Sequence, residues 1–143
     1  MTTFLLDVNV LIALADPQHE FHTRAQTWFR QEKTRSWATC PFTEAGLVRV
    51  MSNPSYQDPS LDLGDVLAVL AALRELRGHQ FWPIDFGLAE AVKPFADRFF
   101  GHQQVGDVFL IALAVRKRGK LVTFDRGIGF LAGEEWKSSV QCL

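Results

Sequence analysis

Apolar residues fall along this chain in short blocks. The first block, FLLDVNVLIALA from Phe4 to Ala15, is broken by Asp7 and Asn9. A buried carboxylate without a partner is costly, so one continuous strand or helix through this block is disfavoured. The pattern instead predicts a strand over Phe4 to Leu6, a corner at Asp7-Val8-Asn9, and a helix over Val10 to Ala15 that Asp16-Pro17 stops. Asp7 then stands at the carboxyl end of a strand, where open α/β sheets place their ligands.

The alternation continues downstream. Phe21, Ala25, Trp28 and Phe29 recur at helical spacing within His19 to Lys33, and Arg35 to Thr39 reads as a second short strand. Pro41 suits a helix start, and the helix runs through Met51 to Asn53-Pro54. Tyr56 to Ser60 reads as loop, and Leu61 to Arg77 as an amphipathic helix closed by Gly78. Phe81 to Ile84 is expected to be an irregular strand, its Pro83 pointing to an edge or a bulge. Phe86 to Phe100 is a helix that Pro94 kinks or divides, and Val105 to Arg118 is the most apolar helix, ended by Gly119. Leu121 to Phe124 is a buried strand ending at Asp125, Gly127 to Trp136 receives no role, and Ser138 to Leu143 could add an edge strand. Strands alternating with helices imply parallel crossovers, so the expected fold is a three-layer α/β/α sandwich with a central parallel sheet, formed as one domain over residues 1–143.

Composition narrows the function classes. Hydrophobic content of 48% and charged content of 22% are those of a globular domain. No apolar stretch reaches the roughly 20 residues that cross a bilayer, and no basic segment precedes the first one, so neither a membrane span nor a signal peptide is expected. Cys40 and Cys142 read as reduced thiols of a cytoplasmic protein, with one disulfide left open. A net charge of −1 argues against binding nucleic acid by overall positive field, but leaves room for local basic patches or a metal.

Four carboxylates stand apart from the rest. Asp7 and Asp125 follow strands, Glu44 lies in the first turn of a helix, and Asp107 opens the apolar helix. Strand ends and following helix starts share one edge of a parallel sheet, so the four are expected to converge there. Singly, each has a structural explanation as a turn, an N-cap or a partner of the helix dipole. Together they would repel and raise one another's pKa, a penalty that a bound cation reverses. Oxygen ligands select a hard ion, Mg²⁺ or Mn²⁺, suited to phosphate-ester hydrolysis by water. The His19/His22 pair reads as a solvated helix start, and Cys40 lacks the signature of a nucleophile.

With these residues in view, LLDVNVLIAL, TCPFTEAGLVRV and VGDVFLIALAVRKRGKLVTFD, in that order and spacing, resemble a PIN-domain ribonuclease, and more narrowly the VapC toxins of bacterial toxin–antitoxin pairs. The resemblance covers nearly the whole chain. It implies a catalytic set of Asp7, Glu44, Asp107 and Asp125, with Asp7, Asp107 and Asp125 as ligands of Mg²⁺ (Mn²⁺ as substitute). It also implies an RNA substrate (tRNA or rRNA), a cognate VapB-type antitoxin and a homodimer. Asn9 matches a small polar position beside the first Asp, and Thr43 and Thr123 match pocket-edge hydroxyls, with capping or strand roles open for both.

Among basic residues, Arg116, Lys117, Arg118 and Lys120 read as a structural helix end. Arg24, Arg30, Lys33 and Arg35 are candidates for a groove wall, with Trp28 or Trp37 for base stacking, and Arg126 is the cation expected near the metal. The antitoxin is expected in an apolar groove beside the His19–Lys33 and Ala45–Met51 helices, where Phe21, Trp28, Phe29 and Trp37 gather. A haloacid-dehalogenase-like phosphatase is the main enzymatic rival, although Asn9 stands where its second Asp should be. A housekeeping RNase without an antitoxin, and a non-catalytic binding module, are the others.

Overall fold

The computed structural model describes residues 2–32, 36–57, 59, 61–98 and 101–143. Lys33 and Arg35, and the predicted element ends at Ser60 and Phe100, lie outside these residues. The chain forms a five-stranded, all-parallel sheet in the order β3-β2-β1-β4-β5, made of β1 (Phe4–Leu6), β2 (Trp37–Thr39), β3 (His79–Phe81), β4 (Lys120–Thr123) and β5 (Val140–Cys142). The helices are α1 (Val8–Ala15), α2 (His22–Glu32), α3 (Pro41–Met51), α4 (Leu63–Arg74), α5 (Leu88–Val92), α6 (Val105–Arg116) and α7 (Arg126–Trp136).

Alternate residues of the central strands feed two separate cores. Leu5, Ala38 and Leu121 face the core shared with α5, α6 and α7, whereas Phe4, Leu6, Trp37 and Val122 face the one built with α1 to α4. Burial on both faces is what makes these strands read as continuous apolar runs. The predicted three-layer α/β/α sandwich with a central parallel sheet is therefore the observed fold. No helix among the described residues is long and apolar enough to cross a membrane.

Several boundaries differ from the sequence expectation, each for a physical reason. Val8 and Asn9 are already helical, because the Asp7 carboxylate caps α1 by accepting from the Val8 N–H at 2.7 Å. The third strand is His79–Phe81, not Phe81 to Ile84: Trp82 and Pro83 follow it, and Trp82 is buried in the core. The Phe86–Phe100 helix shrinks to α5 followed by a 3₁₀ turn at Lys93–Phe95, where Pro94 cannot continue α-helical bonding. At the end of α6 it is Arg118, not Gly119, that takes the left-handed conformation (φ 55°). Gly119 is needed for close approach instead, since a Cβ there would lie 2.5 Å from the Thr3 carbonyl.

The stretch after Asp125 that carried no expected role is α7. It is capped by Asp125, whose Oδ1 accepts from the Gly127 N–H at 2.8 Å, and it is broken at Gly133 (φ 65°). There the Arg98 guanidinium donates to the Leu131 and Ala132 carbonyls at 3.0 and 3.2 Å, satisfying groups that the break releases.

Helices α1 and α3 pack closely through Gly46. A Cβ on Gly46 would collide with the Val8 Cγ2 methyl, and β-branched Val8 has little freedom to turn away. Gly46→Ala should therefore lower stability by about 1–3 kcal/mol through overpacking, seen as a lower urea midpoint at unchanged slope.

Candidate active site

The sheet reverses its winding direction between β1 and β4: β2 and β3 extend it on one side, and β5 on the other. Ligands bind at such switch points, in the crevice outside the carboxyl ends of the strands. Asp7 follows β1 and Asp125 follows β4, so the two flank the switch point. Asp107, in the first turn of α6, joins them.

Asp7 is the one buried carboxylate among the described residues, at 7% exposure. Its Oδ2 accepts from the Thr123 hydroxyl at 2.8 Å. Thr123 is a junction: its oxygen also accepts from Asn9 Nδ2 at 3.2 Å and from the Asp125 N–H at 3.0 Å. Asn9 closes the ring, its Oδ1 accepting from the Phe124 N–H at 3.2 Å. One hydroxyl thus ties both strand ends and two of the carboxylate-bearing positions into a single network. Asn9 and Thr123, whose roles the sequence left open, are the supports of Asp7. Thr43 is not at this site. It is fully buried and caps α3, donating to the Cys40 carbonyl and accepting from the Cys40 N–H.

The charges tell which acids act as a group. Burial first, and then the neighbouring charges of Asp7 and Asp125, push the Asp107 carboxyl up to about 7. Asp7 is raised mainly by its own burial and further by Asp125, against the lowering effect of its bonds to Thr123 and Val8. Glu44 does not act on either. Its Oε2 accepts from the Thr39 hydroxyl at 2.9 Å, and its Oε1 pairs with Arg74 at 3.3 Å. Thr39 spends its single proton on Glu44, so the 2.8 Å contact between Thr39 Oγ1 and His79 Nε2 requires the Nε2–H tautomer as donor. Glu44 thus sits on the expected sheet edge but in a cluster of its own, with Thr39, Arg74 and His79; the sequence reading expects Arg74 not to pair with the acidic rim, and it does not single out Thr39 or His79.

Asp7, Asp107 and Asp125 offer only oxygen, and their mutual repulsion is the electrostatic signature of a place that favours a cation. The set therefore fits a hard divalent ion, although no three acidic, His or Cys side chains among the described residues stand close enough to ligate one ion as placed. Asp125 is exposed, with its Oδ1 held by the Gly127 N–H. Asn9, with both amide atoms engaged, is not available as the acid/base that the phosphatase reading needs.

The basic and aromatic candidates divide. Trp28 and Trp37, expected as stacking platforms, are core residues at 8% and 3% exposure, with Phe29 edge-on to Trp37. The expected aromatic groove is therefore largely interior. Arg116 is structural as expected: it pairs with Glu90 at 3.2 Å and lies 4.2 Å over the Phe86 ring. Arg24 is exposed and lies over the stacked rings of Phe21 and Phe124, 5.7 and 5.6 Å from their centroids, beside the Asn9–Phe124 bond. Cys40 is buried and Cys142 exposed, and both are free thiols.

Thr123→Val should test the junction. It removes the hydroxyl that donates to Asp7 Oδ2 and accepts from Asn9 Nδ2, while keeping the side-chain volume. Leaving such buried partners unpaired should cost about 2–3 kcal/mol, measured by chemical denaturation.

Known proteins resemble this chain along most of its length. A PIN domain family model matches residues 4–133. Ribonuclease VapC39 of Mycobacterium tuberculosis is 48% identical over 126 residues, covering 88% of this chain and 91% of the relative. Two solved structures share the fold, both with a TM-score of 0.67 and both covering 91% of this chain. One is Mycobacterium tuberculosis VapC20, a sarcin-ricin loop cleaving toxin, at 15% identity and 95% of its own length. The other is VapBC2 from Rickettsia felis bound to a DNA fragment from their promoter, at 10% identity and 93% of its own length. With its switch-point carboxylates and this relative along nearly its whole length, the chain belongs to the PIN-domain family and stands among its VapC ribonucleases.

Proposed function

We propose that this protein is the toxin of a toxin–antitoxin pair, a Mg²⁺-dependent endoribonuclease that hydrolyses phosphodiester bonds of tRNA or rRNA in the cytoplasm and so blocks translation. The observation that carries the reading is the buried Asp7 carboxylate, fixed by Thr123 and electrostatically coupled to Asp107 and Asp125. Mg²⁺ is the hard, oxygen-seeking ion that suits this set, with Mn²⁺ as substitute.

Asp7, Asp107 and Asp125 would hold the ion. When bound, it supplies Lewis acidity that polarises a phosphodiester and favours attack by water. The chain's own part is positioning. Thr123 and the Val8 N–H each occupy one Asp7 oxygen and so fix the plane of that carboxylate. Asp107, with its carboxyl pushed up to about 7 in the metal-free protein, would release its proton as the ion binds. Arg24, held over two rings and without an ion pair among the described residues, offers a cation to a backbone phosphate at the edge of the site. Glu44 belongs to the catalytic set only through the family resemblance, and would have to leave its pairing with Thr39 and Arg74 to join the other three acids.

A cognate VapB-type antitoxin is the expected partner, and a homodimer the expected assembly. An Arg from the antitoxin could pair bidentately with the acidic site and block it. Sequencing of RNA ends after brief expression should reveal new cleavage sites that vanish with Asp7→Asn. Co-expression with the antitoxin should suppress them. A purified pair that cleaves as fast as the free enzyme would leave a housekeeping RNase.

A further inference from the structure

Phe130 is the most exposed large apolar side chain among those described, at 84%. A single exposed Phe is ordinary on a protein surface; its surroundings here are not. It lies four residues after Arg126 on α7, so both project from the same face, and Asp125 caps that helix. Five residues at 1.5 Å and about 100° each put Phe130 about 7–8 Å along the helix axis from Asp125 and part-way round the helix from it. Arg126, Gly129, Phe130, Gly133, Glu134 and Lys137 line an open cavity of about 390 Å³. Two glycines and two cations, Arg126 and Lys137, share this lining with the exposed ring. Lys137 is tied to Glu134 at 2.7 Å, whereas Arg126 forms no ion pair among the described residues.

We infer that Phe130 is a stacking platform for one unpaired base of the RNA, on a nucleotide flanking the scissile phosphate, with Arg126 on that nucleotide's phosphate. This rests on the ribonuclease reading and deepens it by placing a specificity determinant on α7. A planar apolar ring beside a free guanidinium matches a nucleotide, which joins an aromatic face to an anion. A protein segment would need a contiguous apolar stripe, and around Phe130 the cavity offers only glycine and charge.

The test uses a short single-stranded RNA containing a mapped cleavage site, and copies of it with one abasic residue at each position in turn. Affinity is read by fluorescence anisotropy in the cleavage-deficient Asp107→Asn background, and kcat/KM in the otherwise native enzyme. Phe130→Ala should weaken binding roughly 5- to 150-fold, the range of one base–aromatic stack, and Phe130→Trp should restore it. One abasic position should reproduce the loss and erase the difference between Phe130→Ala and its parent. Equal affinity of Phe130→Ala and its parent for the intact RNA overturns the inference, and so does a loss shared by every abasic copy or a change confined to self-association. Should the native enzyme bind this RNA but leave it uncut in Mg²⁺, the ribonuclease reading fails, while the anisotropy series still decides the base contact on its own.

Discussion

Asp107→Asn protein is expected to lose RNA cleavage by about a hundredfold or more while melting above the wild type in metal-free buffer at pH 8. The loss is on the scale of removing one preorganised group that stabilises a transition state. The gain in stability follows from the direction of the Asp107 shift. Its carboxyl is pushed up to about 7 in the folded protein by burial and by Asp7 and Asp125, against about 4 in an unfolded chain. The folded state therefore holds a proton that the unfolded state has released, and stability falls as pH rises between these two values. Above pH 7 the full penalty is present; below pH 4 it is gone. Asp107 is only half-buried, so solvent screening leaves a penalty of about 1–2 kcal/mol. Asparagine removes it, which should raise Tm by roughly 3–8 °C at pH 8 and by nothing at pH 4. Asp7→Asn should lose activity equally without the same gain. Its new amide nitrogen would face Thr123 Oγ1, which already accepts from Asn9 and from the Asp125 N–H.

The second large effect is that of the ion on the wild type. Only the folded chain brings Asp7, Asp107 and Asp125 together, so Mg²⁺ at a hundred times its dissociation constant should stabilise by about 2.7 kcal/mol. Protons compete for the same oxygens. Affinity should be constant above about pH 7.5 and fall up to tenfold per pH unit below 7, as Asp107 takes up its proton. Calorimetric titrations at pH 6 and pH 8 in buffers of different ionisation enthalpy would count the proton released. Binding with no pH dependence across this range would place the ion away from Asp107.

These two results depend on parts of the protein that were unequally legible in the sequence. The FLLD corner was readable because β1 is buried on both faces, and an acid directly after such a strand has few places to go. Asp125 after β4 repeats that logic. The edge strand β3 was displaced because edge strands are half solvated: HQF reads polar, and the neighbouring FWPI drew the assignment to itself. Helix α7 was overlooked because Gly127, Gly129 and Gly133 depress its helical character, although Ile128, Leu131 and Ala132 keep the spacing of a buried face. The pairing of Glu44 was beyond sequence reading, since Arg74 lies 30 residues away and Thr39 meets His79 across 40. The Trp28 and Trp37 assignments failed for a related reason. Composition marks an aromatic residue as available for stacking, but only the packing of α2 against the sheet shows that both rings are consumed by the core.

The central claim is that the carboxylates at the β1/β4 switch point form a metal-dependent nuclease site, and the cleavage of RNA by purified protein in Mg²⁺, in EDTA, and after Mg²⁺ is restored tests it most directly. The account predicts discrete cleavage products in Mg²⁺, none in EDTA, full recovery on restoring the ion, and none at any stage with Asp7→Asn. Undiminished cleavage in EDTA, or by Asp7→Asn protein, would contradict it.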